Sequence, residues 1–293
     1  MENVLQLLVA GILVGVAYAV MAVGLALIFG VIKIINFAHA EFAVLAMYFP
    51  TFWFLQWWGI DPFISAVIAL PMFFLLGYVI QWLLLERIIG IREAETTTLI
   101  ITMGLGLFTA NMIMIVWSGL FRVINLPYTT GTWSFGSVLI NRAQTYSLLV
   151  SLVLIGGLFL FLNKTLMGKA IKAAGDDPVA CAYMGINLRF VYRLAFGLGI
   201  AITGAGGCLM ATYRPFHPFF GETFIIILFA SVILGGMTSI TGAFLGALII
   251  GLLQQLSILV IPIAIQNVLV FIVFVIFLYV RPQGILGKKG RAV

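Results

Sequence analysis

The stretch from Asn163 to Arg193 reads N-K-T-L-M-G-K-A-I-K-A-A-G-D-D-P-V-A-C-A-Y-M-G-I-N-L-R-F-V-Y-R. The chain has 15 basic and 9 acidic residues, 24 in all, and seven of them fall here: Lys164, Lys169, Lys172, Asp176, Asp177, Arg189 and Arg193. The sequence on either side is mostly apolar. This is the one long polar interruption of the chain, and it reads as a face shown to a soluble partner.

Its local grammar is specific. Asp177 suits an N-cap, because its carboxylate can accept from the free N–H groups of a first helical turn. Pro178 follows at the first helical position, where a missing N–H is harmless. Val179 to Met184 are compatible with helix, and Gly185 falls where a left-handed residue ends one. The spacing predicts a helix of about two turns. A second short helix is predicted over Leu166 to Ala174, ending at Gly175, with Lys169 and Lys172 on one face by their i,i+3 spacing. A plain amphipathic surface helix is the alternative reading.

Composition sets the class. Of 293 residues, 63% are hydrophobic and 8% charged, against about 25% charged in soluble domains. The expectation is an all-α polytopic membrane protein. Residues 1–293 form a single transmembrane domain, with 163–190 as a loop within it. The net charge of +6 is spread over loops, so nucleic acid is not implied and sidedness matters instead. Cys181 and Cys208 have no disulfide or metal spacing and read as packing residues. Val4 to Val31 is too long for a signal-peptide core, lacks a basic leader and follows Glu2, so it reads as a retained first span.

About 20 apolar residues cross a bilayer as helix. Spans are predicted near 4–31, 42–58, 62–85, 98–118, 145–162 and 191–211. The stretch Thr223 to Val280 has room for three helices, broken at Gly235-Gly236-Met-Thr-Ser239 and near Pro262; its first, 223–236, is short enough to be a half-span. The total is eight or nine, with broken or re-entrant segments. With the N-terminus outside, twelve basic residues lie inside: Lys33, Arg87, Arg92, Lys164, Lys169, Lys172, Arg189, Arg193, Arg281, Lys288, Lys289 and Arg291. Arg122, Arg142 and Arg214 lie outside, so N-out and C-in is favoured, and an odd count of nine crossings with it. Phe121 to Thr145, with Pro127, Gly131 and Gly136, reads as a turn-rich outer loop able to form a hairpin. Trp57, Trp58, Trp117 and Trp133 sit near outer ends, as interfacial aromatics do.

Chemistry-bearing motifs are few. No G-x-x-x-x-G-K-[ST] is present, so nucleotide hydrolysis by that route belongs to another chain. Asn36, His39 and Glu41 lie between two apolar stretches. They read either as an interface turn or as a helix break whose polar groups cap the next helix beside a pathway. Asn111, Gln254, Gln255, Gln266 and Asn267 read as hydrogen-bonding partners between helices. The two histidines, His39 and His217, each stand in a broken stretch before an apolar helix, each followed by a glutamate, Glu41 and Glu222. Placed on opposite sides of the membrane, the two breaks are what an inverted repeat requires. The glutamates would anchor the helix starts at the two ends of a mostly apolar pathway.

Several blocks together resemble one family: G-L-A-L-I-F-G-V-I-K-I-I-N-F-A-H-A-E-F (24–42), K-A-A-G-D-D-P-V-A-C-A-Y-M-G-I-N (172–187), V-I-L-G-G-M-T-S-I-T-G-A-F-L-G (232–246) and R-P-Q-G-I-L-G (281–287). They are similar to permease subunits of branched-chain amino acid ABC importers of the LivH type, over about Val14 to Gly287. The family usually has glycine where Ala40 stands. The resemblance implies a multi-pass permease of the bacterial-type inner membrane that is not itself an enzyme. It binds no cofactor, ATP and Mg being held by two cytosolic ATP-binding subunits. It pairs with a second permease, related or identical, and receives substrate from a periplasmic solute-binding protein. Asp177, Pro178, Ala182, Met184, Gly185 and Ile186 would then form the coupling helix. Asn36, His39, Glu41, His217, Glu222, Gly235 and Gly236 would mark helix breaks along the pathway. Sister permeases serve urea and short amides, which leaves substrate identity open. A stand-alone transporter or channel would need intramembrane acids or a filter loop, and an intramembrane enzyme a converging nucleophile and base; both fit these residues less well.

Overall fold

The computed structural model describes residues 2–88, 94–136, 138–262, 265–281 and 283–287. The chain is built from helices, in order α1 (Glu2–Ile32), α2 (His39–Ala46), α3 (Trp53–Trp58), α4 (Pro62–Ile80), α5 (Ala94–Trp117), α6 (Arg142–Lys164), α7 (Leu166–Asp176), α8 (Pro178–Tyr183), α9 (Leu188–Ala211), α10 (Phe220–Gly235), α11 (Ile240–Ser257) and α12 (Gln266–Val280). Among the described residues six segments are long and apolar enough to cross a membrane: Val4–Ile32, Pro62–Leu85, Ala94–Trp117, Arg142–Lys164, Leu188–Ala211 and Ile240–Ser257. The helices α10 and α12 are shorter. The predicted 42–58 span is present but broken. Arg92, Lys288, Lys289 and Arg291, which enter the charge count, lie outside the described residues.

The break in that span has a cause at Pro50. Proline has no N–H and its ring crowds the carbonyl four residues back. The backbone widens into a π-helical turn over Met47–Phe52. The freed Ala46 carbonyl accepts from the Thr51 hydroxyl at 2.7 Å and from the Cys208 thiol at 3.6 Å. The packing role expected of Cys208 thus includes a hydrogen bond.

Two helices form the centre. The apolar windows of α1 and α9 are 83% and 89% buried, against 44% for α11 and 28–33% for α4, α5 and α6, so among the described membrane-length segments these two are the ones enclosed by protein. They cross antiparallel at small residues, with Gly206 against Val20 and Met21, and Gly24 against Gly199 and Thr203. Small residues let backbones approach where lipid supplies no hydrophobic drive. Each central helix carries one outer helix. On α1 lies α11, with Gly15 against Ala247 and Leu248 and Gly11 against Leu252; on α9 lies α4, with Phe73 against Gly204 and Phe74 against Gly197. Thus α1, α2–α3 and α4 form one unit and α9, α10 and α11 a second. The long helix of each packs on the third helix of the other, as an inverted repeat demands.

The turn-rich loop does form a hairpin. Strand β1 (Thr132–Phe135) pairs antiparallel with β2 (Val138–Asn141), Trp133 opposite Ile140. Gln6 of α1 clamps it, donating to the Leu139 carbonyl at 2.7 Å and accepting from the Leu139 amide at 2.8 Å. Of the polar residues expected to bridge helices, Gln254 does so: Tyr18 donates to its carbonyl oxygen at 2.7 Å and its amide donates to Asn267 at 2.9 Å. Asn111 does not; it donates to Leu107 of its own helix.

Candidate functional site

Two regions collect the residues singled out above. The first is the break between α1 and α2. Lys33, at φ +59°, ends α1 in a left-handed conformation. The next residues run back along the bundle. The Thr102 hydroxyl of α5 accepts from the Phe37 amide at 3.2 Å and donates to the Ile35 carbonyl at 3.3 Å, so the open backbone is satisfied by a side chain. Asn36 accepts from the Ala38 amide at 3.1 Å. His39 is fully buried, its Nε2 3.1 Å from the Met21 carbonyl and 2.7 Å from the Thr203 hydroxyl. A carbonyl can only accept, so Nε2 carries the proton and the ring ties α2 to both central helices.

These contacts fix the level of the helix start. Met21 lies eleven residues, or about 16 Å, before the end of α1. So α2 begins at mid-height of the bundle, not at its edge. Ala40, where the resemblance has glycine, is fully buried in this first turn.

The second break, between α9 and α10, reaches the same level. Glu41 packs against Gly106 of α5 and Gly221 of α10, and a Cβ on Gly221 would fall on the carboxylate itself. This corrects the expectation that the two helix starts stand at opposite ends of a pathway: they meet. Glu41 and Glu222 each hold the third position of their helix, the first turn expected. Glu41 is 5% exposed, whereas Glu222 is open.

The histidines are not equivalent. His217 precedes α10 by three residues, half-buried, its ring 4.8 Å from Phe121 and 6.1 Å from Phe220. The break around it is held by a single antiparallel bridge. Arg122 N–H donates to the Phe216 carbonyl at 2.8 Å, and Phe216 N–H to the Arg122 carbonyl at 3.0 Å. Gly235 and Gly236 lie at the far end of α10, about 21 Å from Gly221 by helical rise. There the backbone of Ile285 and Leu286 donates to the Leu234 and Gly235 carbonyls, both at 2.9 Å. Both glycines are buried in this junction with the C-terminal segment.

The second region is the polar interruption. Thr165 caps α7 through the Gly168 amide at 3.0 Å. Asp177 caps α8, accepting from Val179 at 3.0 Å and Ala180 at 2.9 Å, with Pro178 first in the helix. Gly185 is left-handed at φ +80°, and the Ile186 amide returns to the Cys181 carbonyl at 3.0 Å. Asn187 then caps α9. Only Cys181 points inward on α8; Val179, Ala182, Tyr183 and Met184 are exposed, Tyr183 at 87% and Met184 at 82%. Exposed apolar side chains grouped in this way mark an interaction surface.

One expectation here is corrected. The helix does not end at Gly175 but runs to Asp176. Gly175 lies against the Gly30 carbonyl of α1. The glycine serves close approach, and Asp177 alone separates α7 from α8. Lys169 and Lys172 do share the outer face, opposite Gly168, Ile171 and Ala174. Thr102, Gly106, Thr203 and Gly221 belong to the first region as fully as His39 does. Their types are ordinary in apolar helices, and nothing local marks them.

A helical bundle with six segments long and apolar enough to cross a membrane, among the described residues, has the build of a multi-pass membrane protein. Residues 7–278 match the family model described as Branched-chain amino acid transport system / permease component. The chain belongs to that family, and is a permease subunit rather than an enzyme. It is 29% identical to the high-affinity branched-chain amino acid transport system permease protein BraD of Pseudomonas aeruginosa, over 97% of this chain and 96% of that one. It is 28% identical to LivH of Escherichia coli, with the same coverage, and 26% identical to a probable LivH of Methanocaldococcus jannaschii, over 92% and 89%. No solved structure matches.

Proposed function

We propose that this chain forms half of the pathway of an ABC importer for branched-chain or similarly apolar amino acids. A second permease, related or identical, supplies the other half. Two cytosolic ATP-binding subunits hold ATP and Mg, and a solute-binding protein delivers substrate from the opposite side. Nucleic acid has no part. The supporting names are those of the relatives, each a branched-chain amino acid permease.

The observation that carries the coupling role is the exposure of α8. Asp177, Pro178, Ala182, Met184, Gly185 and Ile186 hold a short, twice-capped helix with its apolar side outward, a shape suited to a groove in an ATPase. The twelve-to-three basic count supports placing this face in the cytosol, with the N-terminus outside. Asn36, His39, Glu41 and Glu222 hold the two helix starts beside the pathway, and His217 supports the second. Gly235 and Gly236 fix the cytosolic end of α10. The experiment is reconstitution in proteoliposomes with the ATP-binding subunits and candidate binding proteins. ATP-dependent uptake of leucine or valine is expected. Uptake of urea or acetamide instead would overturn the substrate, and uptake without ATP the mechanism.

A further inference from the structure

One charged cluster belongs to neither region. The span Pro62–Leu85 ends at Glu86 and Arg87, and α9 begins beside it with Arg189 and Arg193. Arg193 donates to Glu86 twice, Nε to Oε2 at 2.6 Å and Nη2 to Oε1 at 2.9 Å. Its guanidinium also lies 5.9 Å from the rings of both Tyr78 and Trp82. These hydrogen bonds hold the Glu86 carboxyl below its ordinary range. The carboxylate is therefore ionised and answered by Arg193. Arg189 stands 3.7 Å from the same carboxylate, but its side chain is 79% exposed. Arg87 is exposed. Trp82, Leu83, Glu86, Arg87 and Arg189 wall a cleft of about 230 Å³.

Among the described residues here, Arg193 and Arg189 face the Glu86 carboxylate and Arg87 lines the same cleft, so three arginines stand with one carboxylate and two positive charges are left. The cleft is continuous with bare apolar surface on the same helical segment: Leu75, Trp82, Leu83 and Leu84 are all exposed. Its position at the ends of two membrane-length segments puts it at the bilayer boundary, where tryptophan is favoured. A ligand that satisfies all of this carries an oxyanion and an apolar tail in one molecule. Guanidinium groups match phosphate geometry with paired donors. We propose that this cleft binds the phosphate headgroup of an anionic phospholipid, with its acyl chains along Leu83, Leu84 and Leu75. This requires only the membrane spans and is independent of the transported substrate.

The test uses the complete importer purified in detergent. Phosphatidylglycerol retention is measured by native mass spectrometry, and Tm with added phosphatidylglycerol, phosphatidylcholine or inorganic phosphate. Each basic residue near a lipid surface contributes about 1 kcal/mol, so Arg87→Gln with Arg189→Gln is expected to weaken phosphatidylglycerol retention roughly 30-fold, at 1.4 kcal/mol per tenfold. The Tm rise should be lost with it. Arg189→Gln alone, at an exposed side chain, covers the case in which the double variant does not fold, and should weaken retention roughly fivefold by the same arithmetic. Equal retention of phosphatidylcholine, or no difference between variant and wild type, overturns the proposal. So does a Tm rise reproduced by inorganic phosphate alone, which would mark a soluble anion site. Loss of the ATP-binding subunits from the double variant would mark a protein-docking face, and overturns it equally.

Discussion

Gly175→Ala tests how the α7–α8 unit is seated. A Cβ on Gly175 stands 2.6 Å from the Gly30 carbonyl oxygen, 3.4 Å from its carbon and 3.5 Å from Val31 Cα. Ordinary contact begins near 3.4 Å, so α7 must retreat by about 0.8 Å. The obstacle is backbone and cannot rotate away. Helix propensity acts in the other direction, since alanine inside a helix is favoured over glycine by about 1 kcal/mol. Overpacking costs about 1–3 kcal/mol, so the net loss of stability is about 1 kcal/mol. The effect on coupling should be plainer, because Asp177 and α8 follow at once and move with α7. Transport per ATP hydrolysed, measured in proteoliposomes with the complete importer, is expected to fall roughly fivefold, the factor that 1 kcal/mol represents. Gly157→Ala is the control. It too is helical, but its Cβ would meet nothing within 4 Å, so it should be neutral or slightly stabilising. If Gly175→Ala behaves like Gly157→Ala in both stability and coupling, α7 is not seated on Gly30 and the reasoning fails.

Gly185→Val places a β-branched residue at φ +80°, a strain of about 1–3 kcal/mol; the protein should insert but transport poorly, and full transport with full ATPase stimulation would sink the coupling role. Cysteines at Thr130 and Met184, in a background lacking Cys181 and Cys208, should react with an impermeant thiol reagent from opposite sides; labelling from one side would refute the topology. Glu86 is held below its ordinary value of 4.5, so its ion pair stabilises fully above about that pH and less as pH falls through the folded-state value. Tm measured downward from about pH 7 should show that loss, and Glu86→Gln should abolish it. Glu41→Gln and Glu222→Gln each change an acid in the first turn of a helix start, and at Glu222, which is exposed, the lost charge favours that start by about 0.3–1 kcal/mol; uptake should fall in each, and near-normal uptake in the double variant would refute the anchoring role.

The spans were legible because lipid forces apolar runs of fixed length, and the α8 helix because every capping element is local: Asp177, Pro178 and Gly185 lie within nine residues. The hairpin was legible from Pro127, Gly131 and Gly136 for the same reason. The break at Pro50 was readable in principle, since proline inside a helix always frees a carbonyl, but the span length concealed it. Gly175 was misread because glycine ends helices and also permits contact between them; only its neighbour, Gly30, tells which. The level of the helix starts was not legible. It depends on His39 meeting Met21 and Thr203, contacts between residues 18 and 164 apart, and no local pattern encodes a partner so distant.

The two histidines suggested the repeat, yet they are not its equivalent residues. Counted from the helix starts, His39 is first in α2, whereas His217 precedes α10. That is why their spacings to the glutamates disagree. Glu41 and Glu222 agree, each third in its helix, and so they are the pair the repeat relates. Their meeting carries an electrostatic cost. Each helix start carries about half a positive charge from its free N–H groups, and two such starts brought together at mid-height would repel. Glu222, facing outward in the first turn of α10, offsets that charge, while Glu41 is enclosed between α5 and α10. Gly221 follows from the same arrangement. Any side chain there would take the volume of the Glu41 carboxylate and push the two starts apart, so the glycine that carries no chemistry sets the distance at which the two halves of the repeat meet.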